Sequence, residues 1–93
     1  MAYYDKVVPT DVVSMAADEI LRTAGRKAAF VIAKMSDEKG YKLSARGIET
    51  NVQVIAEAVG GGGHFASAAA RTKEPLKVFV ENIRQAIIDK KEG

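Results

Sequence analysis

The sequence predicts an α/β domain, in which a small mixed β-sheet is covered by helices and the elements follow the order helix, strand, strand, helix, strand, helix. Three observations support this prediction. Apolar residues recur at helical spacing in several segments, one run is nearly continuously apolar, and the segment after it alternates polar and apolar residues. A chain of 93 residues is long enough for one core, so residues 1–93 are interpreted as a single domain.

The composition excludes several classes of protein. Apolar residues make up 47% and charged residues 28% of the chain, which is typical of a globular domain. The net charge of +2 is too small for the broad basic face of a duplex-binding protein. The chain has no cysteine, which excludes disulfides and thiolate metal sites, and no apolar stretch approaches the roughly 18 residues that span a bilayer. We expect a cytoplasmic domain, and a membrane anchor in a longer parent protein stays open.

The first half of the chain contains one helix and a predicted strand hairpin. Thr10 can cap the helix, and Gly25 stands where a left-handed helix end is expected. The apolar run from Ala28 to Met35 predicts a central strand that is buried on both faces. The alternating segment from Tyr41 to Arg46 predicts its hairpin partner, which has one polar face.

The second half contains two helices that flank a glycine run and a short strand. Asn51 can cap a helix from Val52 to about Val59, and the four glycines Gly60–Gly63 end it. Small residues after His64 allow a tight turn and a short, closely packed strand. Pro75 opens a final amphipathic helix.

The run Gly60–Gly63 is the most unusual feature of the sequence. Each glycine in regular structure costs about 0.5–1 kcal/mol relative to alanine, so four in succession need a reason. A flexible linker is one interpretation, but linkers are rich in serine and other polar residues, whereas this run lies between apolar segments. We favour a phosphate cradle, in which the bare N–H groups of the turn form an anion-binding nest. The run matches neither a P-loop nor a dinucleotide fingerprint.

Four other residues are candidates to bind the same anion. His64 is the single histidine; a lone histidine is more often structural, but after a glycine turn its imidazole can donate to a phosphate oxygen. Arg46 has a guanidinium that matches phosphate geometry and shares a strand face with Ser44, although alone it is more simply a solvated charge. Asn51 is most simply a helix cap, which would leave N–H groups of the helix start available to an anion.

A catalytic metal site is not expected in this chain. Hydrolysis of a phosphodiester generally needs metal ions held by clusters of Asp and His. One histidine, no cysteine and no close grouping of Asp with His cannot assemble such a site. The chain is therefore expected to bind a ligand without cleaving it and to hold no cofactor.

Residues 48–57, running into Gly60–Phe65 and preceded by Phe30–Ala33 and Leu43–Arg46, carry a family resemblance. They resemble the C-terminal DHH-associated domain of DHH-family phosphoesterases, and the similarity extends from the first helix through Ala70. The Asn-Val-Gln segment before the glycines and the three alanines after them look most like the cyclic-di-AMP phosphodiesterases. The nanoRNases and pAp phosphatases are the next most similar relatives.

The resemblance implies that binding and chemistry lie in different domains. In such enzymes an N-terminal DHH domain of the same protein holds two Mn ions, and the C-terminal domain grips a cyclic dinucleotide or short oligonucleotide. By position, His64 and the backbone of Gly60–Gly63 would hold phosphate or ribose, and Arg46 with Ser44 would contact a phosphate or base. Asn51 is a weaker candidate. Gly47 departs from the family, which usually has serine there.

Two alternatives stay open. The chain could be a single-stranded nucleic-acid-binding module, as in a RecJ-like exonuclease or a nanoRNase, which would need aromatic stacking platforms and a basic groove. With three tyrosines, three phenylalanines and a nearly neutral charge, this interpretation ranks second. A homodimer through an exposed sheet edge is the third, and nothing in the sequence favours it.

Overall fold

The computed structural model describes residues 1–24, 27–36 and 39–92. The strands are β1 (Ala2–Val7), β2 (Ala28–Lys34), β3 (Tyr41–Gly47), β4 (Gly62–His64) and β5 (Ser67–Thr72). The helices are α1 (Thr10–Ala24), α2 (Val52–Ala58) and α3 (Leu76–Glu92). The predicted end of the first helix, Gly25, lies outside the described residues.

All five strands join one mixed sheet in the order β1-β2-β3-β5-β4. β1 runs parallel to β2, and the other neighbours are antiparallel. The predicted α/β class and the order of its six elements are confirmed, and the sheet has two further strands, β1 and β4. Both are edge strands, so neither carries the two-sided apolar pattern by which a central strand is recognised.

Prolines set the first residues of two helices. The Pro9 carbonyl accepts a hydrogen bond from the N–H of Val13 at 3.0 Å, and the Pro75 carbonyl accepts one from Phe79 at 3.1 Å. Each carbonyl thereby makes the first bond of a helix, while the missing proline N–H would have had no partner within the helix. α1 and α3 begin at the residue after each proline.

The two faces of the sheet are covered differently. α2 and α3 cover one face and form the larger core with side chains from β2, β3 and β5. The largest side chains of this core, each at most 2% exposed, are Phe79, Ile32, Leu43 and Ile83. α1 packs on the other face, where it buries Val13 and Ala17 in a smaller cluster with alanines and a valine of β2.

Part of the α1 side of the sheet remains accessible. Residues that pair directly in an antiparallel ladder point to the same face, and the residues that alternate with the core residues along each strand therefore define the opposite face. On β3, β5 and β4 this side of the sheet, which we call the open face, carries Lys42, Ser44, Arg46, Ser67, Ala69, Arg71, Gly62 and His64, of which Ser44 is buried. It brings the polar face predicted for β3 next to the end of the glycine run.

Candidate functional site

A shallow cavity of about 190 Å³ lies on the open face beside α1. It is lined by Ser14, Lys42, Ser44, Arg46, Gly62, Gly63, Ser67, Ala68 and Ala69. Two cations and three hydroxyl groups line it, and none of the described residues in its lining is acidic. A larger depression of about 400 Å³ beside α3 is instead lined by Glu74 and Asp89 without a cation. The electrostatics therefore favour the smaller cavity for an anion.

Ser44 lines this cavity with its hydroxyl group. The residue is only 1% exposed, and its side chain makes no hydrogen bond with any part of the chain that the structure describes. No fully buried polar side-chain atom of the described residues lacks a hydrogen-bond partner, so the Ser44 oxygen is still reached through the cavity. The hydroxyl can donate to or accept from a ligand in the cavity.

Arg46 is held in place by two internal contacts. Its Nε lies 3.2 Å from a carboxylate oxygen of Asp18 on α1, and its Nη1 donates to the carbonyl of Ala45 at 2.9 Å. The sequence predicts either a solvated charge or a guanidinium that matches phosphate geometry, and these contacts already occupy one side of the guanidinium. The donors of Nη2 remain available, so Arg46 can contact an anion without first being ordered.

Glycine is required at the positions of the run for different structural reasons. Gly60 has a φ of +87°, which glycine adopts without strain. A Cβ on Gly61 would lie 2.1 Å from the carbonyl oxygen of Ala69, and one on Gly63 would lie 2.6 Å from the Cα of Ala68. Gly61 and Gly63 are thus required by close packing against β5. A Cβ on Gly62 would meet nothing within 4 Å, so the described chain itself gives no reason for glycine there.

The amides of the first two glycines are already occupied. Gly60 donates to the carbonyl of Glu57 at 3.1 Å, and Gly61 donates to that of Ala56 at 2.8 Å, which ends α2. Gly62 and Gly63 belong to β4, so the run is part of the folded sheet rather than a linker. The predicted nest therefore does not extend over all four residues. Ligand contact by Gly60 and Gly61 stays a prediction, and it could not use those N–H groups.

His64 ends β4 at the border of the cavity. It pairs with Ser67, is exposed, and makes no side-chain hydrogen bond within the part of the chain that the structure describes. The carbonyls of the two residues after His64 hold the turn in place. The Phe65 carbonyl accepts a hydrogen bond from the N–H of Val52 at 2.9 Å, and the Ala66 carbonyl accepts one from the N–H of Gly47 at 2.9 Å. The backbone that follows His64 is therefore held by hydrogen bonds, while the imidazole is available to a ligand.

Asn51 caps α2, as the sequence predicted. Its side-chain oxygen accepts from the N–H groups of Gln53 at 3.1 Å and Val54 at 3.4 Å. With Val52 bonded to Phe65, the first three N–H groups of this helix all have internal acceptors. The helix start therefore offers an anion none of these three groups, and Asn51 does not line the cavity. Its role as a ligand contact stays a prediction.

Sequence reasoning missed three polar residues that line the cavity, and Arg71 beside it. Lys42 shares the alternation of Ser44 and Arg46 and could have been included on that signal. Ser67 and Arg71 could be placed only once the register of β5 against β3 was known. Ser14 reaches the cavity through the packing of α1, which no local pattern predicts.

Packing within the chain also explains the glycine at position 47. A Cβ at this position would lie 2.5 Å from the carbonyl oxygen of Thr50. The loop from β3 to α2 therefore folds too closely over residue 47 for any side chain. The departure from the family's usual serine is a packing requirement of this loop.

The described residues do not fit a catalytic metal centre. Within residues 1–24, 27–36 and 39–92, no three His, Cys, Asp or Glu side chains lie close enough together to hold a metal ion. We therefore derive no chemical step through a metal in this chain. Among the same residues, no helix is both long and apolar enough to cross a membrane.

Residues 1–90 match the DHHA1 domain family, and this match covers nearly the whole sequence. The chain therefore belongs to the DHHA1 family, the domain associated with DHH-family phosphoesterases.

Its curated relatives are longer proteins. The chain is 41% identical over 83 residues to the cyclic-di-AMP phosphodiesterase GdpP of Geobacillus thermodenitrificans, covering 87% of this chain and 12% of that protein. It is 36% identical to GdpP of Bacillus subtilis, covering 98% and 13%, and 42% identical to the cyclic-di-AMP phosphodiesterase PdeA of Listeria monocytogenes, covering 75% and 11%. The chain thus spans roughly an eighth of the length of these relatives.

A solved structure has a similar fold. An exopolyphosphatase-related protein from Bacteroides fragilis aligns with a TM-score of 0.72, over 91% of this chain and 25% of that one. The sequences are only 17% identical, so this similarity shows the fold alone.

Proposed function

We propose that this chain is the substrate-binding domain of a Mn-dependent DHH-family phosphodiesterase, and that its open face binds a phosphate of cyclic di-AMP or of a short oligonucleotide. The observation that carries the proposal is a cavity in which the Ser44 hydroxyl, which has no hydrogen bond within the described chain, lies beside the prepositioned guanidinium of Arg46. A phosphate oxygen would accept from both groups. The relatives GdpP and PdeA are cyclic-di-AMP phosphodiesterases, which supports the nucleotide as ligand.

Three further residues would contribute to this binding in different ways. Lys42 adds a second positive charge, His64 adds an imidazole donor at the border, and Gly62 leaves the backbone bare where a side chain would project from the strand. The lining of the cavity contains no carboxylate and no thiol that could act as a nucleophile. The chain binds and orients a phosphate; it does not cleave it.

The chemistry would belong to a DHH domain of the same protein. Bound Mn ions would supply activated water and neutralise charge there. Because that domain would provide the other wall of the cleft, the isolated chain is expected to bind nucleotides only weakly.

Replacing Ser44 tests the proposal directly. A Ser44→Ala variant should keep its stability, since the hydroxyl makes no hydrogen bond within the described chain, but should bind cyclic di-AMP about tenfold more weakly. Isothermal titration calorimetry measures the affinity and thermal denaturation measures the stability. Ser36→Ala, at an exposed turn, is the matched control and should change neither. Equal affinity of the Ser44→Ala variant and the wild type would refute the proposed site.

An exposed aromatic residue favours the oligonucleotide as a second ligand. Phe65, next to His64, is 53% exposed at the tip of the β4–β5 hairpin. An exposed ring beside a phosphate site can stack on a nucleobase, typically for about 1–3 kcal/mol per base. Titration with a short single-stranded RNA would show this preference if Phe65→Ala weakened RNA binding more than binding of cyclic di-AMP.

A further inference from the structure

The edge of the sheet formed by β1 has no strand partner among the described residues. β1 is the first strand in the order β1-β2-β3-β5-β4, and all its residues from Tyr3 to Val7 are exposed. Three of these exposed side chains are large and hydrophobic, those of Tyr3, Tyr4 and Val7. Outward-pointing N–H and C=O groups make such an edge a template for pairing with another strand. The opposite edge, β4, is only three residues long and offers less backbone for pairing.

The side chains of β1 divide between the two faces of the sheet. Tyr3 pairs with Ile32, which belongs to the core under α3, and Tyr4 pairs with Ala33, which belongs to the cluster under α1. The register of β1 against β2 shifts after Tyr4, but Asp5 still lies on the side of Tyr3, because both residues line a groove of about 420 Å³ against α3. A strand added beside β1 would border this groove.

The residues of β1 favour one register for pairing with a second copy of the same strand. A two-fold axis perpendicular to the sheet makes the two strands antiparallel and keeps each side chain on its own face, so opposite residues are an even number of positions apart. Pairing most of the strand requires an axis near its middle, at Tyr4 or Asp5. An axis at Asp5 would place two carboxylates opposite each other, which is unfavourable. An axis at Tyr4 places Tyr4 opposite Tyr4 and Tyr3 opposite Asp5.

The pairs in the register centred on Tyr4 are complementary. Two tyrosine rings opposite each other form an aromatic cross-strand pair. The hydroxyl of Tyr3 can donate to the carboxylate of Asp5 in the other copy, and the symmetry makes this contact twice. The contacts of Asp5 with Tyr41 and Lys34 both use its Oδ1, so its Oδ2 is available to the second copy.

We infer that β1 is an interface between two copies of this chain, in which the edge strands pair antiparallel about a two-fold axis at Tyr4. The two five-stranded sheets would then form one continuous sheet. The inference does not rest on the proposed function, because the open face lies on β3, β5 and β4, and β2 separates it from β1. Since the axis is perpendicular to the sheet, the open faces of both copies lie on the same side of the joined sheet.

Sedimentation equilibrium of the full chain tests the interface. The wild type should form a species of twice the 10.0 kDa chain mass as its concentration is raised, and this species should dissociate on dilution. Tyr4→Lys places two ammonium groups opposite each other and should raise the dissociation constant of the dimer about tenfold or more, whereas Tyr4→Phe should keep it within about twofold. Met15→Lys puts the same charge on the exposed side of α1, is the matched control, and should leave the constant unchanged.

Crosslinking tests the register, since the chain has no cysteine of its own. A thiol crosslinker of short span should join Tyr4→Cys into a covalent dimer, because the Cβ atoms of opposite residues lie about 5 Å apart. Met15→Cys, which is also exposed, should remain uncrosslinked at the same concentration.

Three results would overturn the inference. They are a wild type that stays monomeric up to about 1 mM, a dimer that Tyr4→Lys and Met15→Lys weaken equally, and equal crosslinking of the two cysteine variants. Thermal denaturation of each variant establishes that the comparison is made on folded protein.

Discussion

At the scale of single residues, the glycine run shows that identical residues can be required for different reasons. Gly60 supplies a positive φ, while Gly61 and Gly63 allow β4 to approach β5 closely. Only Gly62 has no internal requirement, and it lines the cavity on the open face. We interpret Gly62 as the glycine whose missing side chain serves the ligand.

A pair of alanine substitutions separates these roles. Gly61→Ala forces a Cβ against the backbone of β5 and should destabilise the domain by about 1–3 kcal/mol. Gly62→Ala meets no neighbour and should leave the stability unchanged or raise it by up to about 1 kcal/mol, because alanine lowers the entropy of the unfolded chain. Urea unfolding measures both values. In the same proteins, Gly62→Ala should weaken nucleotide binding, and unaltered binding would show that the ligand does not approach this glycine.

The candidate site was predictable from sequence only where a local pattern existed. Alternation placed Ser44 and Arg46 on one face, and the position of Asn51 before an apolar stripe marked a helix cap, which the structure confirms. The contact of Arg46 with Asp18 was not predictable, since it depends on how α1 packs against the sheet. The position of Arg71 beside Lys42 was not predictable either. The two residues are 29 positions apart in the sequence, and their pairing depends on the register of β5 against β3.

At the scale of elements, the two edge strands were the ones that sequence reasoning missed. β1 contains Tyr3, Tyr4 and Val7, which remain exposed, so its residues do not alternate between core and solvent. β4 is Gly-Gly-His and has almost no side chains from which a pattern could be read. Both strands form because they make backbone hydrogen bonds with a neighbouring strand, β2 or β5. Such tertiary pairing leaves little signal in the local sequence.

A polar cluster ties β1 to the rest of the sheet. The hydroxyl of Tyr41 on β3 donates to a carboxylate oxygen of Asp5 on β1 at 2.5 Å, and Lys34 on β2 lies 3.5 Å from the same oxygen. The hydrogen bond from Tyr41, followed by the charge of Lys34, lowers the pKa of Asp5. The same bond to Asp5 raises the pKa of Tyr41. The cluster is complete while Asp5 is ionised and Tyr41 is protonated.

The cluster predicts a pH dependence with a definite sign. Because the folded pKa of Asp5 is lowered, its contribution is present above the ordinary carboxyl pKa, near pH 4, and is lost as the pH falls through the lowered value. Because the folded pKa of Tyr41 is raised, its contribution is present below about pH 10 and is lost as the pH rises through the raised value.

Urea midpoints measured across the pH range check this. Asp5→Asn should remove both pH-dependent losses, and Tyr41→Phe should reduce the acid loss and abolish the alkaline one. The effects should be small, since Asp5 is exposed to solvent and Tyr41 is only half-buried. A wild-type profile that both variants reproduce would show that the cluster does not contribute to the stability.

At the scale of the whole molecule, the fold gives one sheet two different surfaces. One face is closed by α2 and α3 and holds the main core, whereas the other is closed only partly, by α1. The open face left by this asymmetry collects the cations, the hydroxyl groups and the bare backbone in one place. The domain class was predictable because three helical stripes and two strands have clear periodicity; the uncovered face was not, because it depends on where α1 sits.

The proposed assignment of binding and chemistry to separate domains predicts no turnover by this chain alone. Purified chain incubated with cyclic di-AMP and Mn²⁺ should give no linear product above the rate without protein, as followed by chromatography. Turnover that scales with the concentration of this chain would contradict the assignment of binding and chemistry to separate domains.

The most direct test of the central claim is a titration of ¹⁵N-labelled chain with cyclic di-AMP, followed by NMR. A phosphate on the open face should shift the amides of Gly62, Gly63, His64 and Ser67 to Ala69, together with the side-chain Nε–H of Arg46. The amides of α3, on the opposite side of the sheet, should stay unchanged. Shifts confined to α3, or no shift at any amide of β4 and β5 as the nucleotide concentration is raised, would contradict the account.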